Sequence, residues 1–101
     1  WAFATPAATV PTVTKAYAAL GGKLHVFWGT TGDGGSPITG WVVRYRPSGT
    51  TTWTVVRISD PARRDWIVRD LPIGIRYDLR VAARNIVGVG PSSATVALLT
   101  K

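Results

Sequence analysis

The chain has 101 residues, 46% of them hydrophobic, no cysteine and a formal net charge of +7. That length fits one compact domain able to bury about 65% of the surface its unfolded chain exposes, and the missing cysteines exclude disulfides and thiolate metal sites. No apolar run reaches the ~18 to 20 residues of a membrane span, and the N-terminal WAFATPAATV lacks the basic flank and longer apolar core of a secretory signal.

Twelve basic residues stand against five acids, all Asp, and nine of the twelve are Arg. Arginine favours two-pronged contacts with carboxylate, phosphate or sulfate. The chain starts with Trp1 instead of Met, the beginning expected of a fragment of a longer polypeptide or a processed end.

Residues 1–10 are rich in Ala, Thr and Pro and read as a linker or extended lead-in, with Trp1 and Phe3 as apolar residues that could dock on a neighbour. From Pro11 the sequence breaks into short alternating runs between turn signals. Residues 12–18 form a modest first strand. In residues 23–28 (KLHVFW), Leu24, Val26 and Trp28 share a core face and His25 the opposite one, because strand side chains alternate. Gly-rich residues 29–37 turn the chain. Ile38, Trp41, Val43 and Tyr45 form the next buried face, opposed by Val42, Arg44 and Arg46. Pro47, Ser48 and Gly49 end that strand, and residues 51–58 return as its hairpin partner.

Asp60 and Pro61 mark a turn, residues 65–69 a short strand, and residues 71–74 (LPIG) a corner. Residues 76–84 then place Tyr77, Leu79, Val81 and Ala83 on one face and Arg76, Asp78, Arg80 and Arg84 on the other. Residues 85–91 (NIVGVGP) read as a loop and residues 94–100 as the closing strand. No window combines a helical apolar stripe with freedom from Gly and Pro, so the expected class is an all-β, seven-stranded antiparallel two-sheet sandwich.

Pro11, the strand ending in Trp28, the loop GDGGSPITGW, the strand WVVRYR, the corner Leu71-Pro72-x-Gly74-x-x-Tyr77, the segment VAARNIVGVGPSS and the closing Thr100 together resemble an immunoglobulin-like fibronectin type III domain. The resemblance covers residues 11–101. It implies that Trp28 and Tyr45 pack between the sheets beside Leu71, and that Tyr77 forms a tyrosine corner, its hydroxyl bonded to backbone near the preceding turn. It also implies that the strands holding Arg44 and Arg80 are neighbours. The loop wording resembles copies in bacterial secreted enzymes and phage virion proteins. NIVGVGP lacks the Arg-Gly-Asp tripeptide of integrin-binding members, so integrin adhesion is not implied.

Neighbouring strands would gather Arg44, Arg46, Arg80 and Arg84 on one basic face, joined by Arg57 and Arg76. Like charges opposite each other cost up to ~1 kcal/mol per pair, so an offset is expected from Asp78 or from an arginine stacked on Trp53. Such a face could dock an anionic polysaccharide, a cell-surface polymer or an acidic protein. Nucleic acid is disfavoured because most aromatics have core positions.

Catalytic chemistry finds no footing. His25 is the only histidine and there is no glutamate, the five Asp are scattered, the GDGG stretch lacks a phosphate-loop ending, and Ser48, Ser92 and Ser93 read as turn formers. No catalytic, cofactor or metal residue is expected, although a parent chain could be a polysaccharide-degrading enzyme. The expected role is a structural, spacer or assembly module of a larger extracellular or virion-surface protein. Its partners would be neighbouring domains or subunits, met through the loop residues Ile86, Val87 and Val89.

Overall fold

The computed structural model describes residues 11–29 and 37–101; the lead-in 1–10 and most of the glycine-rich loop lie outside them. Eight strands follow in order: β1 (Val13–Ala19), β2 (Lys23–Trp28), β3 (Gly40–Pro47), β4 (Thr54–Ile58), β5 (Asp65–Val68), β6 (Arg76–Asn85), β7 (Gly88–Val89) and β8 (Val96–Leu99). They build two antiparallel sheets. One has the order β1-β2-β5; the other runs β4-β3-β6, with β7 and β8 both on the far edge of β6.

Alternation along β2, β3 and β6 places the core between the sheets. Leu24, Val26 and Trp28 from one layer meet Trp41, Val43, Leu79, Val81 and Ala83 from the other, all at most 2% exposed. Tyr45 and Leu71 pack against this cluster from its margin. Trp28 and Trp41 touch across it with ring centroids 5.6 Å apart.

Two expectations are corrected. An eighth strand, β7, forms inside the stretch read as a loop, and Pro91, which cannot donate to the ladder, lies between it and β8. There the Ser93 hydroxyl accepts from the Val81 amide at 3.0 Å while the Ser93 amide donates to the Val81 carbonyl at 2.7 Å. The stretch read as a loop is accordingly a hairpin, with Arg84 opposite Val89 and Asn85 opposite Gly88.

The tyrosine corner is the second. Tyr77 is buried and its ring tilts against that of Tyr45 at 6.2 Å, yet its hydroxyl makes no hydrogen bond among the described residues. Thr100 holds the 71–75 turn in its place. Its hydroxyl lies 2.6 Å from the Pro72 carbonyl and 3.1 Å from that of Ile75, and it accepts from the Ile75 amide at 3.0 Å. A short β-branched side chain arriving from β8 reaches carbonyls that the tyrosine, pointed into the core, does not.

Candidate functional site

Antiparallel register between β3 and β6 sets Gly40 opposite Arg84, Val42 opposite Ala82, Arg44 opposite Arg80 and Arg46 opposite Asp78. Side chains of period two therefore bring Arg44, Arg46, Arg80 and Arg84 to one outer sheet surface, as the sequence implies.

Every one of these guanidinium groups is engaged within the molecule. Arg44 Nη1 donates to Ser92 Oγ at 2.8 Å, Arg46 Nε to Asp78 Oδ2 at 3.3 Å, Arg80 Nε to Thr95 Oγ1 at 2.9 Å, and Arg84 Nη2 reaches Ser59 Oγ at 3.5 Å. Between them stands Trp53, with the Arg46 guanidinium 4.1 Å and the Arg80 guanidinium 4.5 Å from its ring centre. The negative ring face attracts each cation. That offsets the repulsion expected where Arg44 and Arg80 sit directly across the ladder.

Asp78 anchors the lower part of this face. Ser48 Oγ donates to its Oδ1 at 2.7 Å, and its carboxyl is held below the usual carboxylate value by that hydroxyl first, and then by Arg46 and the charge of Arg80, with burial opposing them. Val42 and Ala82 stand on the same outer surface but are 1% and 0% exposed. Arg44, Arg57, Arg80 and Arg84 occupy the positions along and across the strands from them, as expected where aliphatic arginine stems lie over apolar surface.

At one end of the sandwich the β6–β7 turn is closed by Asn85, whose side-chain oxygen accepts from the Val87 amide at 2.9 Å. Gly88 carries φ of 140°, in the region that favours glycine. This turn holds Ile86 at 82%, Val87 at 52% and Val89 at 37% exposure. At the opposite end Leu20, Ile73 and Leu99 are also exposed, beside Lys101, whose carbonyl accepts from the Gly22 amide at 3.2 Å.

The other sheet carries a cluster that sequence reasoning missed. His25 does lie on the outer side, but its Nε2 is 2.8 Å from Asp65 Oδ2 and its Nδ1 3.0 Å from the Tyr17 hydroxyl. A carboxylate only accepts, so Nε2 carries the proton and, in the neutral ring, Tyr17 donates to Nδ1. His25 also stacks on Phe27 with centroids 4.1 Å apart. Partners 8 and 40 residues away leave no local signal; only the pairing of β1, β2 and β5 joins them. Ser48 and Ser92 serve arginine-face bonds and Ser93 the ladder. Among the described residues no group of His, Cys, Asp and Glu could hold a metal ion, and no helix is long and apolar enough to cross a membrane.

Two antiparallel sheets with this connectivity, closed over one apolar core, define an immunoglobulin-like sandwich of the fibronectin type III class. The sequence model of the DSCAM/DSCAML C-terminal Fn3-like domain matches residues 24–101, and the chain belongs to that family. Human cell adhesion molecule DSCAM is 36% identical over 67 residues, which is 66% of this chain and 3% of DSCAM. Titin of Drosophila melanogaster is 36% identical over 69 residues, 68% of this chain and, to the nearest per cent, 0% of titin.

The crystal structure of chicken CNTN1 FN1-FN3 domains superposes with a TM-score of 0.79 at 24% identity, covering 95% of this chain and 35% of that one, a likeness of fold. The chain thus spans a few per cent or less of the curated relatives it matches. Those relatives are animal proteins, and they lend no support to the bacterial or phage affinity implied by the loop wording. Homologous domains of adhesion and muscle proteins are consistent with a non-catalytic protein-interaction module.

Proposed function

We propose that this domain is a spacer and contact module of a larger extracellular protein, and that it meets neighbouring domains or subunits through the β6–β7 tip. The exposure of Ile86, Val87 and Val89 carries the proposal. Three apolar side chains on a turn held by Asn85 and Gly88 form a fixed surface whose apolar area is removed from water only by a partner. The engagement of the arginine face with Ser92, Asp78, Thr95 and Trp53 supports a structural part for those residues. A rigid sandwich with apolar groups at both ends suits a position in series with other modules. The cell adhesion relatives favour an extracellular setting.

The test uses fragments of the parent protein containing this domain and its neighbours. Replacing Val87 and Val89 by Ser should weaken association or loosen the inter-domain arrangement, read by sedimentation and small-angle scattering. The isolated domain's stability should stay within about ±0.5 kcal/mol, as for surface substitutions. Unchanged association in the double variant would remove the tip from the interface.

A further inference from the structure

The outermost strand of a sheet presents backbone N–H and C=O groups to which another chain can pair, and folded proteins usually blunt such edges with bulges, prolines, charge or shortness. Three edges of this sandwich carry such devices. β1 has a register irregularity between Val13 and Lys15, and β5 has only four residues and opens on Asp65. β7 and β8, on the far side of β6, are two and four residues long with Pro91 between them. The remaining edge is β4. Its sequence TVVRI has one charge and no proline, and it pairs with β3 through five consecutive residues, from Thr54 opposite Tyr45 to Ile58 opposite Trp41, without a break. Four of the five are Thr, Val or Ile, types enriched in strands.

Burial along β4 marks this edge as open. Thr54, Val56 and Ile58 share the core-facing side with Tyr45, Val43 and Trp41, yet Thr54 is exposed and Val56 only half-buried, while Val43 and Trp41 are sealed. Val55, on the outer surface, is 45% exposed. The β1 and β8 edges meet at a cleft lined by Pro11, Val13, Ser93 and Val96, which leaves β4 on the opposite flank, where Val56 packs at the margin of the core. A strand added beside β4 would lay its inward side chains over Val56.

Charge selects the kind of strand that fits. Arg57 stands on the outer surface opposite Val42. Among the described residues its guanidinium has no hydrogen bond or ion pair, whereas Arg44, Arg46, Arg80 and Arg84 are engaged. Two copies of this chain paired at β4 would each bring a net +7, a repulsion that an acidic segment turns into attraction. We infer that the free edge of β4 is a docking site for an extended acidic segment of a partner protein, which joins the β4-β3-β6 sheet as a further antiparallel strand. Main-chain hydrogen bonds along Thr54–Ile58 supply affinity and alternate side chains supply selectivity: a carboxylate on the segment's outward face meets Arg57, and apolar residues on its inward face cover Val56. The site is separate from the apolar β6–β7 tip.

The experiment titrates the isolated domain with capped seven-residue peptides that alternate valine with glutamate or valine with lysine, and with a glutamate peptide carrying proline at its centre. NMR shifts and slowed amide hydrogen exchange should be confined to residues 54–58 and their β3 neighbours. The glutamate peptide should bind about five times more tightly than the lysine peptide, and the central proline should abolish the protection because it cannot complete the ladder. Arg57→Gln should remove the preference and Arg57→Glu should reverse it. A preference unchanged in both variants, or protection at β1, β5 or β8 instead, would overturn the site. Dimerisation of the domain without peptide, seen by sedimentation and with the same β4 protection, would make a second copy the occupant and overturn the acidic segment.

Discussion

Asp78 and Trp53 show how single side chains hold a surface of like charges together. Asp78 receives the Ser48 hydroxyl at 2.7 Å and the Arg46 guanidinium at 3.3 Å, so the folded protein favours its ionised form and its pKa falls below 3.8. A carboxyl depressed by folding contributes stability above its unfolded pKa and loses it as pH falls through the lower folded value. Asp78→Asn should therefore be less stable than wild type at neutral pH, and the difference should close as the solution is acidified through the lowered folded value. Urea unfolding of both proteins across that range checks this; a constant difference would mean that packing, not charge, sets the effect. Trp53 answers to a different force. Trp53→Ala removes two cation–π contacts and should cost about 1–2 kcal/mol, while Trp53→Phe should retain part of that, by chemical denaturation. A loss no greater than about 0.5 kcal/mol, as at an ordinary surface position, would mean that the arginines need no ring between them.

Among the elements, those with strong alternation were legible in the sequence and those defined by distant partners were not. β2, β3 and β6 declare their inner faces through Leu24, Val26, Trp28, Trp41, Val43, Leu79 and Val81, and the arginines follow onto the outer face by parity. β7 is only two residues long and shows no period. Between β7 and β8 the ladder is interrupted at Pro91 and resumed by Ser93, a fact of hydrogen bonding that apolar pattern does not record. The Tyr17-His25-Asp65 chain depends on three strands meeting, so sequence reading placed His25 on the correct side and missed its partners. The corner before β6 is the sharpest case: the motif marks Tyr77 as its fastener, whereas Thr100 makes the bonds. Thr100→Val keeps shape and removes the hydroxyl, leaving the Ile75 amide without that acceptor. A cost of about 1–3 kcal/mol is expected, with faster hydrogen exchange at Ile75 and partial rescue by Thr100→Ser. An unaltered exchange rate would show that β8 pairing alone fixes the turn.

For the molecule as a whole, charge sets a balance that salt can read. Twelve basic residues and five acids leave a net +7, while the ion pairs among the described residues are His25–Asp65, Arg46–Asp78 and Arg63–Asp65. Two of these share Asp65. Repulsion therefore acts among many exposed cations over long distances, and attraction acts within a few contacts that are partly sheltered from solvent. Screening weakens long-range interactions between exposed charges most: the Debye length falls from about 30 Å at 0.01 M to about 10 Å at 0.1 M. Over that span, salt should remove more repulsion than attraction, and the denaturation midpoint should rise with NaCl. Cation–π contacts at Trp53 gain part of their strength from desolvation and change less. An Arg57→Gln/Arg76→Gln variant sharpens the measurement, because removing two unshared cations while keeping much of their aliphatic stems should raise stability at 0.01 M and flatten the salt dependence. A midpoint that falls with salt in the wild type would mean that the short contacts of Asp65 and Asp78 outweigh the summed repulsion. The outer faces would then be stabilised chiefly by their ion pairs.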